Sequence, residues 1–406
     1  MKTDLDQLMQ SRNLDGLLVI GNAEHNPPMT YLTGGGHVSK AVLIKKRGHV
    51  AVLFCNQMER EEAAKSGLKV VPLTAAPMRD LSTDTAAKLL FPKADLTEGR
   101  IGIYGQTDIS AVLSALTSLQ KSRPGLVFVG EGMDDNIFLR AMETKDDAEV
   151  ARIRRMGKIT TEVVGMVAEY LTSCPVRADE VLLADGTADL PLTVGAVKSK
   201  ISLWLAERGA ETPEGFIFAI GRDAGIPHSI GDPNDLIRLG QTIVFDIYPA
   251  EAGGGYFYDF TRTWSLGYAT PEAQKLYDEV QAVYDKVVES LSVNIPFKNY
   301  QKLVCEQFEK AGHQTPLHTS SPVEGYVHSI GHGLGLNIHE RPWSGLTTDE
   351  SSILQPGVVM TIEPGLYYPN KGMGVRIEDT YYVRPDGSFE RLAEYPYDFV
   401  LKMKNK

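Results

Sequence analysis

The chain of 406 residues contains only three cysteines, Cys55, Cys174 and Cys305. They are odd in number and far apart, and no Cys-x-x-Cys spacing occurs among them. This pattern argues against a disulfide framework and against a thiolate metal site. We therefore expect these residues to be core or partly buried thiols in a reducing compartment.

The chain also lacks long apolar runs and any excess of basic residues. No stretch approaches the roughly 18 apolar residues of a membrane-spanning helix, and the beginning, Met1-Lys-Thr-Asp-Leu-Asp6, has no apolar core of a secretory signal. The net charge is −11 without any basic run, so nucleic acid would be repelled. These absences predict a cytoplasmic protein with neither a membrane nor a nucleic-acid partner.

The length of 406 residues suits two domains rather than one. A composition of 43% hydrophobic and 23% charged residues is ordinary for a globular protein with a full core. The first part of the chain alternates strand-like apolar runs with helical spacing, which predicts an α/β domain. Strands are predicted at residues 16–20, 41–44, 50–54, 70–71, 101–104 and 126–129, and helices at 57–66 and 108–121.

The second part of the chain begins with a predicted long helix, whose N-cap is placed at Thr144 and followed by acidic residues. This start places the domain boundary near residues 140–145. Thr270 and Pro271 fit the N-cap and first position of a second helix. A third helix is predicted from Asn299 to Ala311.

Acidic residues occur where the predicted strands of this second part meet turns. Asp246 lies in the strand-like run 241–248, and Asp259 opens the return run 257–264. A hairpin centred near Ala252 and Gly253 predicts that the two aspartates are direct cross-strand partners, with Cβ atoms roughly 4.5–5.5 Å apart. Carboxylates that close repel each other unless a cation lies between them, which indicates a metal site.

A similar arrangement follows about 120 residues later. Glu363 ends the run 358–363 before a Pro-Gly turn, and Glu378 lies in the run 374–380 with Arg376, on one strand face by the period of two. Gly240 and Gly357 each precede an acid by six residues. This weak internal repeat suggests two similar half-units, each contributing two carboxylates.

Histidines form the remaining group of candidate residues. His328 and His332 are four apart, as in a helical metal pair, but Gly331, Gly333 and Gly335 make a helix there improbable. A glycine-rich loop instead allows the backbone to approach a site closely. Two further histidines also lie in predicted loops, His228 after Ile226-Pro227 and His339 after Asn337-Ile338.

Together these motifs resemble, in order and approximate spacing, those of the Xaa-Pro aminopeptidase and prolidase family. The resemblance covers roughly residues 145–400, and Met29-Thr-Tyr-Leu-Thr-Gly34 is more weakly similar to the creatinase-type amino-terminal domain of prolidases. It implies an α/β domain of creatinase type at 1–142, followed at 143–406 by an α+β catalytic domain with the pita-bread fold of methionine aminopeptidases and creatinase. The stretch 173–195 is less regular than is usual in the family, and we assign it no role.

The resemblance implies a dinuclear exopeptidase that hydrolyses Xaa-Pro bonds, with a hydroxide bridging the metals as nucleophile. The substrate would be a peptide or dipeptide with proline at its second position, and members of the family usually form homodimers. The oxygen-rich ligand set suits two Mn²⁺ ions, with Co²⁺, Fe²⁺ or Zn²⁺ as alternatives. The implied ligands are Asp246, Asp259, His332, Glu363 and Glu378.

The same resemblance assigns His228, His328 and His339 to the substrate pocket. There a donor active at neutral pH would protonate the departing secondary amine, although a purely structural histidine is the alternative at each position. Glu363 has two roles open, as metal ligand and as proton shuttle. Arg376 would either orient the carboxylate of Glu378 or receive the carboxylate of a dipeptide.

Aromatic residues and two departures from the family pattern bear on the pocket. Trp343 and the cluster Tyr256–Tyr258 are expected to be core residues, as aromatic residues near strands usually are, with the floor of a proline pocket as the alternative. Tyr248 stands where the family usually has glycine, and the turn after it is about two residues longer than usual. Both departures are expected to reshape the pocket beside the metals.

Two other functions compete with an Xaa-Pro peptidase. One is a metal-dependent hydrolase or lyase of a small non-peptide compound on the same fold; the creatinase branch lacks the metal ligands that this chain retains. The other is a peptide-binding module without catalysis, which loss of a ligand would indicate, and none is lost here. The sequence leaves open whether an aminopeptidase or a dipeptidase is present.

Overall fold

The computed structural model describes residues 4–74, 84–184 and 189–404. Contacts between Cα atoms divide the chain into two compact units. The first comprises Met1–Met142 with Gly253–Gly255, and the second Glu143–Ala252 with Tyr256–Lys406.

A six-stranded mixed sheet forms the centre of the first unit, in the order β4-β3-β2-β1-β5-β6. Strands β1 to β3 are antiparallel neighbours, and the remaining pairs are parallel. All six predicted strands are present. Their bounds are β1 Gly16–Gly21, β2 Ala41–Lys46, β3 Val52–Asn56, β4 Lys69–Leu73, β5 Gly99–Gln106 and β6 Leu126–Val129.

Six described helices accompany this sheet. The Asp108 side chain accepts a hydrogen bond from the backbone N–H of Ala111 and so begins the predicted helix α5. The predicted helix 57–66 is shorter, because a 3₁₀ turn replaces its first residues. Gly34, with φ of +81°, ends α2, which contains the creatinase-like motif. The helices are α1 Leu5–Ser11, α2 Pro27–Thr33, α3 Arg60–Ala64, α4 Asp84–Lys93, α5 Ile109–Ser122 and α6 Ile137–Met142.

The described residues of the second unit form four α-helices: α7 Asp147–Ser173, α8 Val194–Ala206, α9 Pro271–Ser290 and α10 Lys298–Lys310. The predicted N-cap of α7 at Thr144 is wrong. Asp146 caps the helix in a reciprocal capping box with Glu149, whereas Thr144 forms a β-bridge with Val358. The predicted start of α9 at Thr270 and Pro271 is confirmed.

The strands of the second unit form two larger sheets, ordered β19-β11-β9-β8 and β13-β12-β14-β17-β18, and the two-stranded pairs β10-β7 and β15-β16. Their bounds are β7 Ala210–Glu211, β8 Ile217–Ile220, β9 Thr242–Ile247, β10 Ala250–Glu251, β11 Phe260–Leu266, β12 His332–Gly333, β13 Glu340–Trp343, β14 Val359–Ile362, β15 Gly365–Tyr368, β16 Met373–Arg376, β17 Asp379–Val383, β18 Phe389–Arg391 and β19 Val400–Leu401.

A hydrophobic core lies between helices α9 and α10 and the strands β14, β16 and β17. Ile362 and Ile377 are fully buried members of this core. Because side chains alternate along extended backbone, the residues that follow them, Glu363 and Glu378, are directed away from the core. The core thus positions two of the candidate ligands.

Three further sequence predictions concern the chain as a whole. The three cysteines are buried, as predicted. No helix within the described ranges combines the length and the apolar character that crossing a bilayer requires. In the irregular segment 173–195, Val176 bridges Leu182 and Leu183 bridges Pro191, whereas residues 185–188 lie outside the described residues.

Candidate metal centre

The first two candidate ligands lie at the β9–β11 hairpin in a register different from the predicted one. Asp246 pairs with Thr261, and Asp259 immediately precedes β11. The hairpin is therefore centred between Gly253 and Gly254, one residue later than predicted, so direct pairing of the two aspartates is wrong. Since the shift in pairing is two residues, both carboxylates stay on one face as diagonal neighbours.

The second pair of acids lies just outside regular strands. Glu363 follows β14, and Glu378 lies between β16 and β17. The predicted single strand 374–380 is wrong, because the chain leaves its partner β15 after Arg376 and then pairs with β14. An isolated antiparallel bridge joins Glu378 to Thr261, with backbone hydrogen bonds of 3.1 and 3.4 Å. This bridge brings the second pair of acids to the first hairpin.

The five candidate ligands meet in one buried cluster. Asp259, His332 and Glu378 each offer a ligand atom, and these three atoms lie within 4.8 Å of one another. Nε2 of His332 is 3.7 Å from Oδ2 of Asp259 and 3.4 Å from Oε1 of Glu363. Asp246 and Glu363 line the same cavity, whose volume is about 580 Å³. The structure therefore brings all five predicted residues together.

Hydrogen bonding orients the single imidazole of this cluster. Nδ1 of His332 donates to the carbonyl oxygen of Gly333 at 3.1 Å, which directs Nε2 toward the carboxylates. Burial lowers the pKa of His332 to about 3, with His339 as the next cause. The ring is therefore neutral at physiological pH, as metal ligation requires.

Glycines on either side of His332 explain its position in a strand between two others. A Cβ atom at Gly331 would lie 2.1 Å from the carbonyl oxygen of Thr361, and one at Gly333 would lie 1.9 Å from that of Arg341. Only glycine permits such an approach of backbones. The expectation that no helix forms here is confirmed, but His332 and Gly333 form the short strand β12 rather than a loop.

The acids of the cluster raise the pKa values of one another. Burial raises the pKa of Asp259 and Glu378 well above the usual range, and the neighbouring carboxylates add to the shift. Burial also raises the pKa of Glu363 to about 8, against the opposing effect of Arg376. Because each carboxylate disfavours ionisation of the next, the group is stable as anions only with added positive charge.

Two buried oxygens test whether a metal fits this cluster. Oδ1 of Asp246 and Oε1 of Glu378 accept no hydrogen bond from any residue that the structure describes. A buried anionic oxygen without a partner is costly. Four carboxylates and one neutral imidazole form a donor set that Mn²⁺ and related divalent ions accept. The residues present therefore fit a divalent metal.

Arg376 is committed to residues of the protein. Its guanidinium donates to Oδ2 of Asp246 at 2.5 Å, to the hydroxyl of Tyr367 at 2.6 Å and to the carbonyl of Pro227 at 3.2 Å. A weaker bond of 3.4 Å reaches Thr261. The side chain is 3% exposed, so it orients the carboxylate of Asp246 rather than that of Glu378.

The three predicted pocket histidines all line the cavity but differ in their bonds. Nδ1 of His328 donates to the carbonyl of Ser329 at 2.7 Å, and its Nε2 accepts from the hydroxyl of Tyr367 at 2.8 Å. His228 and His339 are exposed to the cavity, and neither ring hydrogen-bonds another residue in the described part of the chain. Burial lowers the pKa of His339.

Of the aromatic residues proposed for a proline pocket, only Trp343 lines the cavity. Tyr256 donates its hydroxyl to Glu149, and Tyr258 is buried against Gly157, where a Cβ atom would lie 2.6 Å from the ring. Both tyrosines therefore belong to the core, which confirms the favoured of the two interpretations. Tyr248 also lines the cavity, beside Asp246.

The sequence analysis missed three residues of the site. Thr261 donates its hydroxyl to Oε2 of Glu378 at 2.7 Å, and its spacing of two residues from Asp259 was a usable signal. Tyr367 connects Arg376 with His328 but has no local pattern that marks it. Glu214 lines the cavity from a turn before β8 and likewise lacks a sequence signal.

Comparison with known proteins identifies the class to which this site belongs. The chain belongs to metallopeptidase family M24, whose model matches residues 151–385 and so includes all five candidate ligands. The family resemblance predicted from the motifs is thereby confirmed.

Individual relatives extend over much of the chain. It is 26% identical over 362 residues to an uncharacterized peptidase of Staphylococcus aureus (strain MW2), which covers 87% of this chain and 88% of that protein. It is 30% identical over 251 residues, 62% of either chain, to the Xaa-Pro dipeptidase of Pyrococcus furiosus. The crystal structure of a dipeptidase from Pyrococcus horikoshii OT3 matches 98% of both chains with a TM-score of 0.76 and 23% identity. The predicted fold class, an α/β domain followed by a pita-bread domain, is confirmed.

Proposed function

We propose that the protein is a dinuclear metal-dependent exopeptidase that hydrolyses the Xaa-Pro peptide bond. The observation that carries this proposal is the convergence of four carboxylates and His332 in one buried cluster that opens into a cavity. The similarity to the Xaa-Pro dipeptidase of Pyrococcus furiosus supports the substrate class.

The five residues divide between two ions in this proposal. Asp246 would hold one ion and His332 with Glu363 the other, while Asp259 and Glu378 are shared. Two divalent ions in such a site supply a nucleophile from water at neutral pH and polarise the scissile carbonyl. Mn²⁺ is the proposed metal because the donor atoms are mostly hard oxygens.

The protein residues around the ions orient the ligands and handle the proton. Arg376 and Thr261 fix the carboxylates of Asp246 and Glu378 through the hydrogen bonds described above. Cleavage before proline releases a secondary amine that needs a proton. His228 and His339 line the cavity, and no hydrogen bond within the described ranges occupies their rings, so we assign proton delivery and carbonyl contact to them.

Three sequence predictions accompany this function as proposals. Residues 1–142 form the creatinase-type domain and residues 143–406 the catalytic domain. The protein acts as a homodimer, for which light scattering should give about twice the chain mass of 44.6 kDa. Its location is cytoplasmic.

A substrate and metal experiment tests the main proposal. Protein stripped of metal and reconstituted with Mn²⁺ should bind more than one equivalent and cleave Xaa-Pro dipeptides or longer Xaa-Pro peptides, but not matched peptides with alanine in place of proline. Full activity of the metal-stripped protein would rule out the metal mechanism.

A hydrolase or lyase of a small non-peptide compound is the second candidate. The observation that favours it is Tyr248, whose ring lines the cavity beside Asp246 where the family usually has glycine. Stoichiometric metal binding without cleavage of any Xaa-Pro peptide would support this candidate over a peptidase.

A further inference from the structure

The outer part of the cavity contains a carboxylate that the proposed chemistry does not use. Glu214 lies in the turn between Thr212 and Gly215, is exposed, and lines the same cavity as the metal cluster. Within the described ranges no side chain or backbone N–H forms a hydrogen bond or ion pair with it. Its charge acts on His339 and Tyr248, which line the same cavity.

Other charges of the cavity do not balance Glu214. Among the described lining residues, the remaining acids are the four candidate metal ligands, and Arg376 is the cation. The guanidinium of Arg376 is occupied by Asp246, Tyr367 and a backbone carbonyl. Glu214 is therefore a negative charge at the mouth of the cavity that is available to a ligand.

Apolar side chains line the cavity together with this carboxylate. They are Ile217, Ile230, Ile338 and Trp343. Lysine and arginine bury their methylene groups on apolar surface while their charged ends reach a polar partner. A cavity that combines apolar lining with an exposed carboxylate suits such a side chain better than a short or acidic one.

We propose that Glu214 gives the enzyme a preference for peptides that carry a lysine or arginine side chain beside the Xaa-Pro bond. This inference rests on the proposed peptidase function. The cationic side chain could belong to the residue before proline or to the one after it, and the two positions share the same recognition chemistry.

Two series of tripeptides separate these positions. One series varies the first residue of Xaa-Pro-Ala and the other varies the third residue of Ala-Pro-Xaa, with lysine, norleucine and glutamate at the varied place. In one series the wild type should show a kcat/KM for lysine about fivefold above norleucine, comparable to the strongest exposed ion pairs. The preference should shrink at high salt because the pair is exposed.

Variants at position 214 then test the assignment. Glu214→Gln should bring the lysine-to-norleucine ratio close to one, and Glu214→Lys should favour glutamate instead. Glu289→Gln, an exposed acid on α9 outside the cavity, should keep the wild-type ratio.

Four results would overturn the inference. An unchanged lysine-to-norleucine ratio in Glu214→Gln would show that another group selects the charged side chain. An equal loss of kcat/KM for all peptides would show that Glu214 contacts the α-ammonium group that they share. If the enzyme cleaves Xaa-Pro peptides without any charge preference, the inference about Glu214 is wrong but the proposed function stands. Absence of cleavage of every Xaa-Pro peptide removes the proposed function as well.

Discussion

Two consecutive acids, Glu378 and Asp379, have opposite surroundings although both are fully buried. Asp379 accepts hydrogen bonds from Arg262 at 2.9 Å and from the hydroxyls of Tyr284 and Tyr397 at 2.5 and 2.6 Å. Glu378 accepts one bond from Thr261, retains an oxygen without a partner, and faces other carboxylates.

The hydrogen-bond partners of the two acids distinguish a buried carboxylate with a structural role from one that is suited to binding a cation. Neighbours of Asp379 are donors, so the group is satisfied by the protein and serves the structure. Among the described residues, the neighbours of Glu378 are mostly carboxylates, so a bound cation would stabilise its charge. The alternation of an extended backbone places the two environments on opposite sides of one segment.

The largest expected effect concerns Glu378, the acid that faces the candidate metal cluster. Glu378→Gln keeps the side-chain size but removes a shared anionic ligand, so metal content should fall and activity on an Xaa-Pro peptide should drop by at least about 10³-fold. Metal analysis and kcat/KM measure the two effects. The metal-free variant should be no less stable than the metal-free wild type, because a repelling charge is gone; a variant that retains two metals would contradict the assignment.

A second contrast, between a candidate metal ligand and a candidate pocket residue, concerns His332 and His339. Their ring centroids lie only 4.4 Å apart. His339→Ala and His228→Ala should keep their metal while losing roughly 10²–10⁴-fold in rate, the usual contribution of a positioned proton donor. His332→Ala serves as the comparison and should lose metal together with activity. Equal loss of metal in all three variants would refute this division of roles.

On the structural side, Asp379→Asn should destabilise the fold by about 3–5 kcal/mol, because it leaves the buried guanidinium of Arg262 without its counter-charge. Urea unfolding at a fixed Mn²⁺ concentration measures the free energy of unfolding. Asp278→Asn, on the exposed side of α9, is the matched control and should change stability by less than about 0.5 kcal/mol. If Asp379→Asn loses metal but not stability, Asp379 does not have the structural role that distinguishes it from Glu378.

The smallest effect is a pH dependence of the metal-free protein. The pKa of Glu363 is about 8 in the fold and 4.5 as a free side chain, so the folded state holds the proton more tightly. Its contribution to stability is therefore complete below pH 4.5 and is lost as the pH rises through 8.

Unfolding of the metal-stripped protein at pH 5 and pH 8 checks this sign. The free energy of unfolding should fall by at least about 1.4 kcal/mol more in the wild type than in Glu363→Gln, which corresponds to one pKa unit. Stability that rises with pH in the wild type relative to the variant would contradict the burial of an uncompensated acid.

Sequence reasoning predicted which candidate residues lie together better than it predicted their geometry. The period of two and the strand-end positions were enough to place Asp246 and Asp259 on one face, because that relation survives a register shift of two residues. The register itself depends on where the run Gly253-Gly-Gly255 turns, and glycine permits several turn geometries. The pattern therefore could not fix the pairing.

Contacts between distant segments explain the other errors. Thr144 has the chemistry of an N-cap but is held in a bridge to Val358, which leaves the cap to Asp146. Tyr367 acquires its role only because Arg376 and His328 approach it from elsewhere in the chain. Local patterns carry no information about such meetings.

The hydrogen bonds around His328 also determine which protons the pocket can exchange. Arg376 donates to the hydroxyl of Tyr367, that hydroxyl donates to Nε2 of His328, and Nδ1 of the ring donates to a backbone carbonyl. All three hydrogen bonds are donated in the same direction, from the guanidinium toward the main chain. Burial lowers the pKa of the His328 ring to about 3. His328 thus has a fixed tautomer and no N–H to offer a peptide. In the proposed mechanism it would form a rigid polar surface, and proton exchange with the substrate would fall to His228 and His339.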